Sequence, residues 1–325
     1  MRSFLTYDCG ARGKDTVRSI APPTKTTPTP RLWPQSPRPS NHSVVMCPRV
    51  CLTAQRIGFR SVAQRMYRVI TCNTNGIRAA ARKGFFNWLA RQKADVVCIQ
   101  EIKAKEEQLT DEVFYPKGYH CYYNPAERPG YAGTAIYCKQ KPQKVITRLD
   151  WDIVDSEGRY IQVDFPGLSV VSLYVPSGSA SEVAQARKDG FMEPFYEHLA
   201  TLRRKRREFV VCADWNTCHR NIDLKNWRSN QKNSGFMPHE RAWLDRIYDD
   251  LRWVDIFREI TDEPDLYTWW SNRGQAWANN VGWRLDYMLV TPGLSGTGRS
   301  QSIYRDERFS DHAPLTIDFA IPKPE

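Results

Sequence analysis

Beyond Met66 the chain alternates short apolar runs with segments of helical period. Arg68–Asn73, Asp95–Gln100, Thr134–Cys138, Tyr160–Asp164, Ser169–Tyr174, Phe209–Ala213, Arg284–Val290 and Leu315–Phe319 are each rich in Val, Ile, Leu, Phe, Tyr or Cys and read as strands. Several are apolar nearly throughout, the pattern of strands covered on both faces. Gly84–Gln92 reads as a helix carrying Phe85, Trp88 and Leu89 on one side. Met192, Phe195, Tyr196 and Leu199 mark a second helix face, in which Pro194 predicts a kink or a start. A third helix is predicted over His239–Asp249. No internal repeat is evident. Many strands with a few helices between them predict an α/β fold of two packed sheets flanked by helices.

Residues 1–65 break the pattern. They hold 8 of the 21 prolines and show no apolar periodicity, so they read as a disordered Arg/Pro-rich extension before a folded domain at 66–325. An organelle transit peptide, a basic DNA-holding arm and a start placed upstream of Met66 all fit this composition; the last, or a dispensable tail, is the preferred reading.

Charge changes meaning once the chain is divided. The total is +11, but residues 1–65 contribute +9 (nine Arg and two Lys against Asp8 and Asp15), leaving +2 for the other 260. A nucleic-acid argument for the folded part therefore needs local patches rather than the pI. No apolar run approaches the roughly eighteen residues of a membrane span. The nine cysteines are scattered; Cys47 and Cys51 have no second pair to complete a zinc site, and reduced thiols are expected.

The informative residues sit where apolar strands stop. Asn73-Thr74-Asn75-Gly76 follows the first strand, Gln100-Glu101 the second, Tyr174-Val175-Pro176 the run SVVSLY, and Asp214-Trp215-Asn216 the run EFVVCA; Ser310-Asp311-His312 precedes the last strand. Each has an ordinary explanation: an Asn-Gly turn, a solvated strand end, an aromatic core cap, an Asx turn, a surface histidine. Together they supply what phosphoryl transfer needs, an oriented water, neutralised phosphate oxygens and a stabilised leaving group. Glu101 is the first choice of metal ligand, with Asn73, Asp311, Asp214, Asn216 and His312 near it. Oxygen ligands with at most one imidazole favour Mg²⁺, or Mn²⁺, over zinc. Asp214 can orient or activate water, with Asn216 beside it. His312 can donate to a phosphate oxygen while Asp286 accepts from its other ring nitrogen. Tyr174 can donate to the phosphate or assist the leaving oxygen. Whether Asp214 or the His312–Asp286 pair is the base stays open, as does the number of metals.

The ordered set N-x-N-G, Q-E, Y-x-P, D-x-N, G-W-R-L-D-Y and S-D-H, spread from Asn73 to His312, resembles the exonuclease III class of AP endonucleases in the DNase I-like endonuclease/exonuclease/phosphatase superfamily. The resemblance runs from Met66 to about Ile321 and is most specific at Asn280–Tyr287, with Asn221–Asn226 and Asn233–Phe236 adding to it. It implies a four-layer α/β sandwich of two mixed sheets. It implies incision of double-stranded DNA 5′ to an abasic site, leaving a 3′-hydroxyl, with 3′-repair and 3′→5′ exonuclease activity alongside. A DNase I-like phosphatase on a small or lipid phosphoester and a non-catalytic nucleic-acid-binding relative are the alternatives; the G-W-R-L-D-Y stretch and the complete acid, amide and imidazole set count against them. By resemblance, Arg78, Lys83, Lys103, Gly130, Tyr131, Asn226, Asn230 and Asn233 contact DNA, and Trp269, Trp283 and Leu285 line the abasic pocket; Trp270 belongs to the same aromatic group, with an ordinary core position as its alternative. A monomer with no membrane partner is expected. The expected location is cytoplasmic and nucleoid-associated, as in bacteria, or mitochondrial or nuclear if residues 1–65 are a targeting segment. Two positions depart from relatives: Asn75 stands where some carry Asp, and Ser177 where some carry Asn. The basic run Arg203–Arg207 is read as a solvated face.

Overall fold

A computed structural model describes residues 66–321; the predicted disordered extension, with Cys47 and Cys51, lies outside the described residues. Fourteen strands and six α-helices are assigned among the described residues. The first sheet is built from β1 (Tyr67–Asn73), β2 (Val96–Gln100), β3 (His120–Asn124), β4 (Thr134–Cys138), β13 (Gly298–Ile303) and β14 (Leu315–Phe319), in the order β13-β14-β1-β2-β4-β3. The second holds β5 (Lys144–Ile146), β6 (Tyr160–Phe165), β7 (Leu168–Tyr174), β8 (Glu208–Asp214), β9 (Val254–Asp255) and β12 (Asp286–Val290), in the order β5-β6-β7-β8-β12-β9. Each sheet has one parallel pair near its centre, β1 with β2 and β7 with β8, among antiparallel neighbours. A separate two-stranded ribbon joins β10 (Trp269–Trp270) to β11 (Gly282–Trp283).

Three apolar layers hold the stack. Val69, Val96, Cys98 and Ile136 of the first sheet meet Val163, Val170, Val210, Cys212 and Met288 of the second in the central core. Helices α1 (Ile77–Arg82) and α2 (Phe85–Gln92) cover the outer face of the first sheet through Ile77, Phe85, Trp88 and Leu89. Helices α4 (Glu182–Arg203) and α5 (Pro238–Asp249) cover the second through Phe191, Phe195, Leu199, Trp243 and Leu244. Two shorter helices are α3 (Asp152–Asp155) and α6 (Ile256–Ile260). The central strands are thus covered on both faces, which explains their unbroken apolar runs. This is the DNase I-like four-layer sandwich.

All eight predicted strands are present with ends shifted by a residue or two. The run Arg284–Val290 is the exception in kind, because Gly282–Trp283 pairs in the ribbon and the sheet strand begins only at Asp286. Pro194 neither starts nor ends its helix: α4 begins at Glu182 and runs through it. No helix among the described residues is long and apolar enough to cross a membrane.

Candidate active site

Strand direction brings the strand-end residues to one edge of both sheets. Asn73 ends β1 and is paired in register with Gln100, the last residue of β2, so Glu101 follows beside it. Across the central core Tyr174, Asp214 and Asp286 are consecutive register partners on β7, β8 and β12. β14 runs antiparallel to β1, so the residues that enter it, Asp311 and His312, arrive at the same edge. Rigid strands therefore place the side chains and short turns aim them. Asn75, Glu101, Lys103 and Asn216 hold left-handed φ of 44°, 49°, 48° and 47°. Non-glycine residues rarely adopt that region, and strain of this kind tends to gather at functional sites.

Asn73 is the bridge of the cluster. Its Nδ2 donates to Glu101 Oε1 and to Asp214 Oδ2, both at 2.8 Å, while its Oδ1 accepts the backbone N–H of Asn75 at 2.9 Å. Asp214 also accepts from the Asn216 backbone N–H at 2.9 Å and from Asn216 Nδ2 at 3.2 Å. The other Asn216 amide bond goes to the Val175 carbonyl at 2.9 Å. His312 Nδ1 lies 2.8 Å from Asp286 Oδ2, and its Nε2 is 3.8 Å from Asp214 Oδ2. Thr268 Oγ1 accepts the backbone N–H groups of Leu285 and Asp286, fixing where Asp286 starts its strand.

Burial and neighbouring charge together set the protonation. Desolvation raises the Asp214 pKa to about 7; Asp286 and Glu101 add to the rise, while the His312 ring and the Asn216 N–H oppose it. For His312 burial alone would disfavour the charged ring, but Asp286, Asp214 and Asp311 outweigh it and lift the pKa to about 10. The imidazole is thus held as a cation at neutral pH, next to a carboxyl group poised to exchange a proton. Burial works against ionised Asp311 too, yet His312, Asn75, Trp269 and Ser310 together keep it below the usual carboxylate range. Tyr174 is pushed well above 10 by burial and by Glu101, against the Arg159 charge.

One side of the cluster offers the oxygen donors that a divalent cation takes: carboxylates from Glu101, Asp311 and Asp214 and an amide oxygen from Asn75. Lys103 already brings positive charge to two of them, its Nζ 2.7 Å from Glu101 Oε2 and donating to Asn75 Oδ1. Asp286 Oδ1 is buried without a partner. Among the described residues, Asp214, Asp286 and His312 are the acids and imidazole whose ligand atoms lie close enough to share one ion, although the His312–Asp286 hydrogen bond already uses one ring nitrogen.

A cavity of about 910 Å³ opens over the cluster. Glu101, Tyr174, Asp214, Asn216, Asp311 and His312 form one part of its wall, and Trp269, Trp283 and Leu285 another. Trp269 Nε1 donates to Asp311 Oδ2 at 3.2 Å, tying the apolar wall to the polar one. Cys218, Leu224 and Phe236 back that wall. Trp270 is fully buried in the core.

The residues read as DNA contacts surround this opening unevenly. Asn233 lines the cavity, and its Nδ2 donates to Asn230 Oδ1, whose Nδ2 in turn donates to the Asn226 carbonyl. Arg78 is exposed on α1, and Lys83 lines a smaller pocket with Asn75 and with Asp311, which also faces the cavity. Gly130 is exposed, and the Tyr131 hydroxyl accepts from Arg159 and Arg187. Lys103 is committed to Glu101 and Asn75. Arg203–Arg207 stands at the opposite end of β8, with Arg207 bound to the Phe165 and Leu168 carbonyls.

Sequence reading missed Arg159. This buried guanidinium stacks over the Tyr174 ring at 4.6 Å and donates to the Tyr174 carbonyl at 2.9 Å. The signal available was a charged residue directly ahead of an apolar strand, too common to single out. It also missed the network in which Arg284 bonds Asp223 and Asp255 while Arg258 bonds Asp223. That network anchors the strip carrying Trp283 and Leu285.

Fold and cluster together define a hydrolase of the DNase I-like class, with acids, amides and one imidazole converging under an aromatic wall. Residues 70–312 match the model of the Endonuclease/Exonuclease/phosphatase family, and the chain belongs to that family. An exodeoxyribonuclease of Bacillus subtilis is 35% identical over 254 residues, covering 77% of this chain and 98% of the relative. The DNA repair nuclease APEX1 of Danio rerio is 33% identical over 78% of this chain and 82% of its own length. An AP endonuclease from Archaeoglobus fulgidus superposes with a TM-score of 0.72 at 28% identity, covering 79% of this chain and all of that one. The protein is an enzyme of the exonuclease III type, a nuclease in which metal dependence is typical.

Proposed function

We propose that the protein is a DNA-repair phosphodiesterase that incises double-stranded DNA on the 5′ side of an abasic site and leaves a 3′-hydroxyl. One observation carries the reading: the hydrolytic cluster and the Trp269–Trp283–Leu285 wall share a single cavity. A sugar without a base can lie against an apolar surface that a normal nucleotide would not fit, so one cleft combines selection with chemistry.

In this reading Asp214 orients the attacking water and accepts its proton, with Asn216 and Asn73 fixing the carboxylate. His312, held cationic by Asp286, donates to the phosphate. Tyr174 donates to a phosphate oxygen or to the departing 3′ oxygen, steadied by Arg159. A divalent ion, which we take to be Mg²⁺ or Mn²⁺, would be held by Glu101 with Asp311 and would neutralise phosphate charge. The Asn226–Asn233 loop, Arg78, Lys83, Gly130 and Tyr131 are the proposed backbone contacts, and the enzyme acts as a monomer. Exonuclease and 3′-repair activities belong to the same reading.

The test is a duplex bearing one synthetic abasic site, incubated with Mg²⁺ or with EDTA. Metal-dependent incision 5′ to the lesion is expected, with none in EDTA. A folded protein that leaves the duplex intact in Mg²⁺ would overturn the proposal.

A further inference from the structure

One buried ion pair links the helices behind the second sheet to the catalytic turn. Lys188 on α4 and Glu240 on α5 both have fully buried side chains, with Nζ 2.6 Å from Oε1. The second acceptor of the ammonium is a backbone atom of the site, the Asn216 carbonyl, at 2.7 Å. The second oxygen of Glu240 accepts the backbone N–H groups of Gly235 and Met237, at 2.7 and 2.9 Å. Gln185, one turn ahead of Lys188, adds a bond to Glu240 Oε1 at 3.2 Å. Gly235 closes the circuit: a Cβ there would lie 2.9 Å from the Asn216 carbonyl oxygen, and the Gly235 carbonyl accepts the Cys218 N–H at 2.7 Å. Two side chains thus join α4, α5, the turn Asp214–Asn216 and the strap Asn233–Met237. Turn and strap face the same cavity.

Stability is a poor explanation for such a pair. Both charges give up their hydration, and well-packed apolar replacements for buried ion pairs are often neutral or stabilising. What the pair does supply is direction. Asn216 sits at φ 47°, where an L residue needs outside support, and its carbonyl points at the ammonium. Its side chain is one of the two amides that hold Asp214, beside Asn73. We propose that Lys188 and Glu240 are a positioning pair that keeps the Asp214–Asn216 turn in catalytic register with the DNA-facing strap at Asn233–Met237. This rests on the incision reading above and names how its water group is held.

The decisive variant is the double one, Lys188→Met with Glu240→Gln. Met fills the channel left by the lysine stem, and Gln keeps an acceptor for the Gly235 and Met237 N–H groups while removing the unpaired charge. Lys188→Met alone strands a buried carboxylate and is expected to unfold at a lower temperature than the double variant, which should melt close to the wild type. On the abasic duplex the double variant should lose roughly 10²-fold in kcat at near-constant KM, the penalty typical of a misplaced catalytic group. Amide hydrogen exchange without DNA should accelerate at Asn216 and stay unchanged in β8 and β12. A folded double variant with wild-type kcat, with only KM altered, or with unchanged exchange at Asn216 overturns the pair's role. If wild type itself fails to incise, the incision reading falls, and the exchange measurement still decides whether the clamp exists.

Discussion

Asp214 and His312 share a hydrogen-bonded site but answer to different surroundings. Asp214 is raised by burial, whereas His312 is lifted by Asp286 despite burial. Near neutral pH one can take a proton while the other stays charged, a division of labour that two identical environments could not give. Asp214→Ala and His312→Ala should each cut turnover by ~10²–10⁴-fold, the usual worth of a proton-transfer group, with affinity for abasic duplex kept. Single-turnover incision and a binding titration in Ca²⁺ or EDTA check the two halves separately. Near wild-type cutting by either variant would refute the assigned roles. At this scale the sequence was most legible for groups attached to a strand end. Asn73, Glu101, Tyr174, Asp214, Asp286 and His312 all converge as the ordered motifs require. Arg159, Lys188 and Glu240 were not legible, because a charge inside a helix or ahead of a strand normally points to water, and only the packed structure shows these three turned inward.

Elements were legible where burial was two-sided. The central strands carry enough apolar residues to be read directly, whereas β3, β5 and β13 went unpredicted. β3 and β13 are sheet edges with polar, half-exposed sequences such as GRSQSI, and β5 is only three residues long. The short ribbon β10–β11 went unseen for another reason: its strands are two residues each, too short for a period, and a buried charge network lies directly beside it. Asp223 is the centre of that network. Burial alone would raise its pKa, but Arg284 and Arg258 outweigh it and bring the value down to about 2. A depressed carboxyl contributes stability that is present above its unfolded value near 3.8 and is lost as pH falls through about 2. The contribution is about 2 kcal/mol. Urea midpoints of wild type and Asp223→Asn should therefore differ most above pH 4 and draw together toward pH 2. A gap independent of pH would show that the carboxylate charge is not what anchors the strip.

For the molecule as a whole, the family match spans residues 70–312 and holds every candidate site residue. β1 starts at Tyr67, and no candidate site residue precedes Asn73. A chain begun at Met66 should keep kcat/KM on abasic duplex within ~3-fold at physiological salt, because loss of positive charge that belongs to no candidate site acts mainly on salt-sensitive encounter. A dead or DNA-blind truncation would assign the segment a necessary role.

The register that sets Tyr174, Asp214 and Asp286 side by side has a mechanical consequence. These groups ride on the strands hydrogen-bonded on both sides in the middle of a sheet, the part of a protein that opens only with the whole fold. If such an edge acts as an anvil that does not close on its substrate, the compliance comes from the nucleic acid. On the proposed reading, a duplex position that has lost its base is already unstacked and bends into the cleft at least expense, and selection of damage begins in the stiffness of the DNA before any side chain touches the lesion.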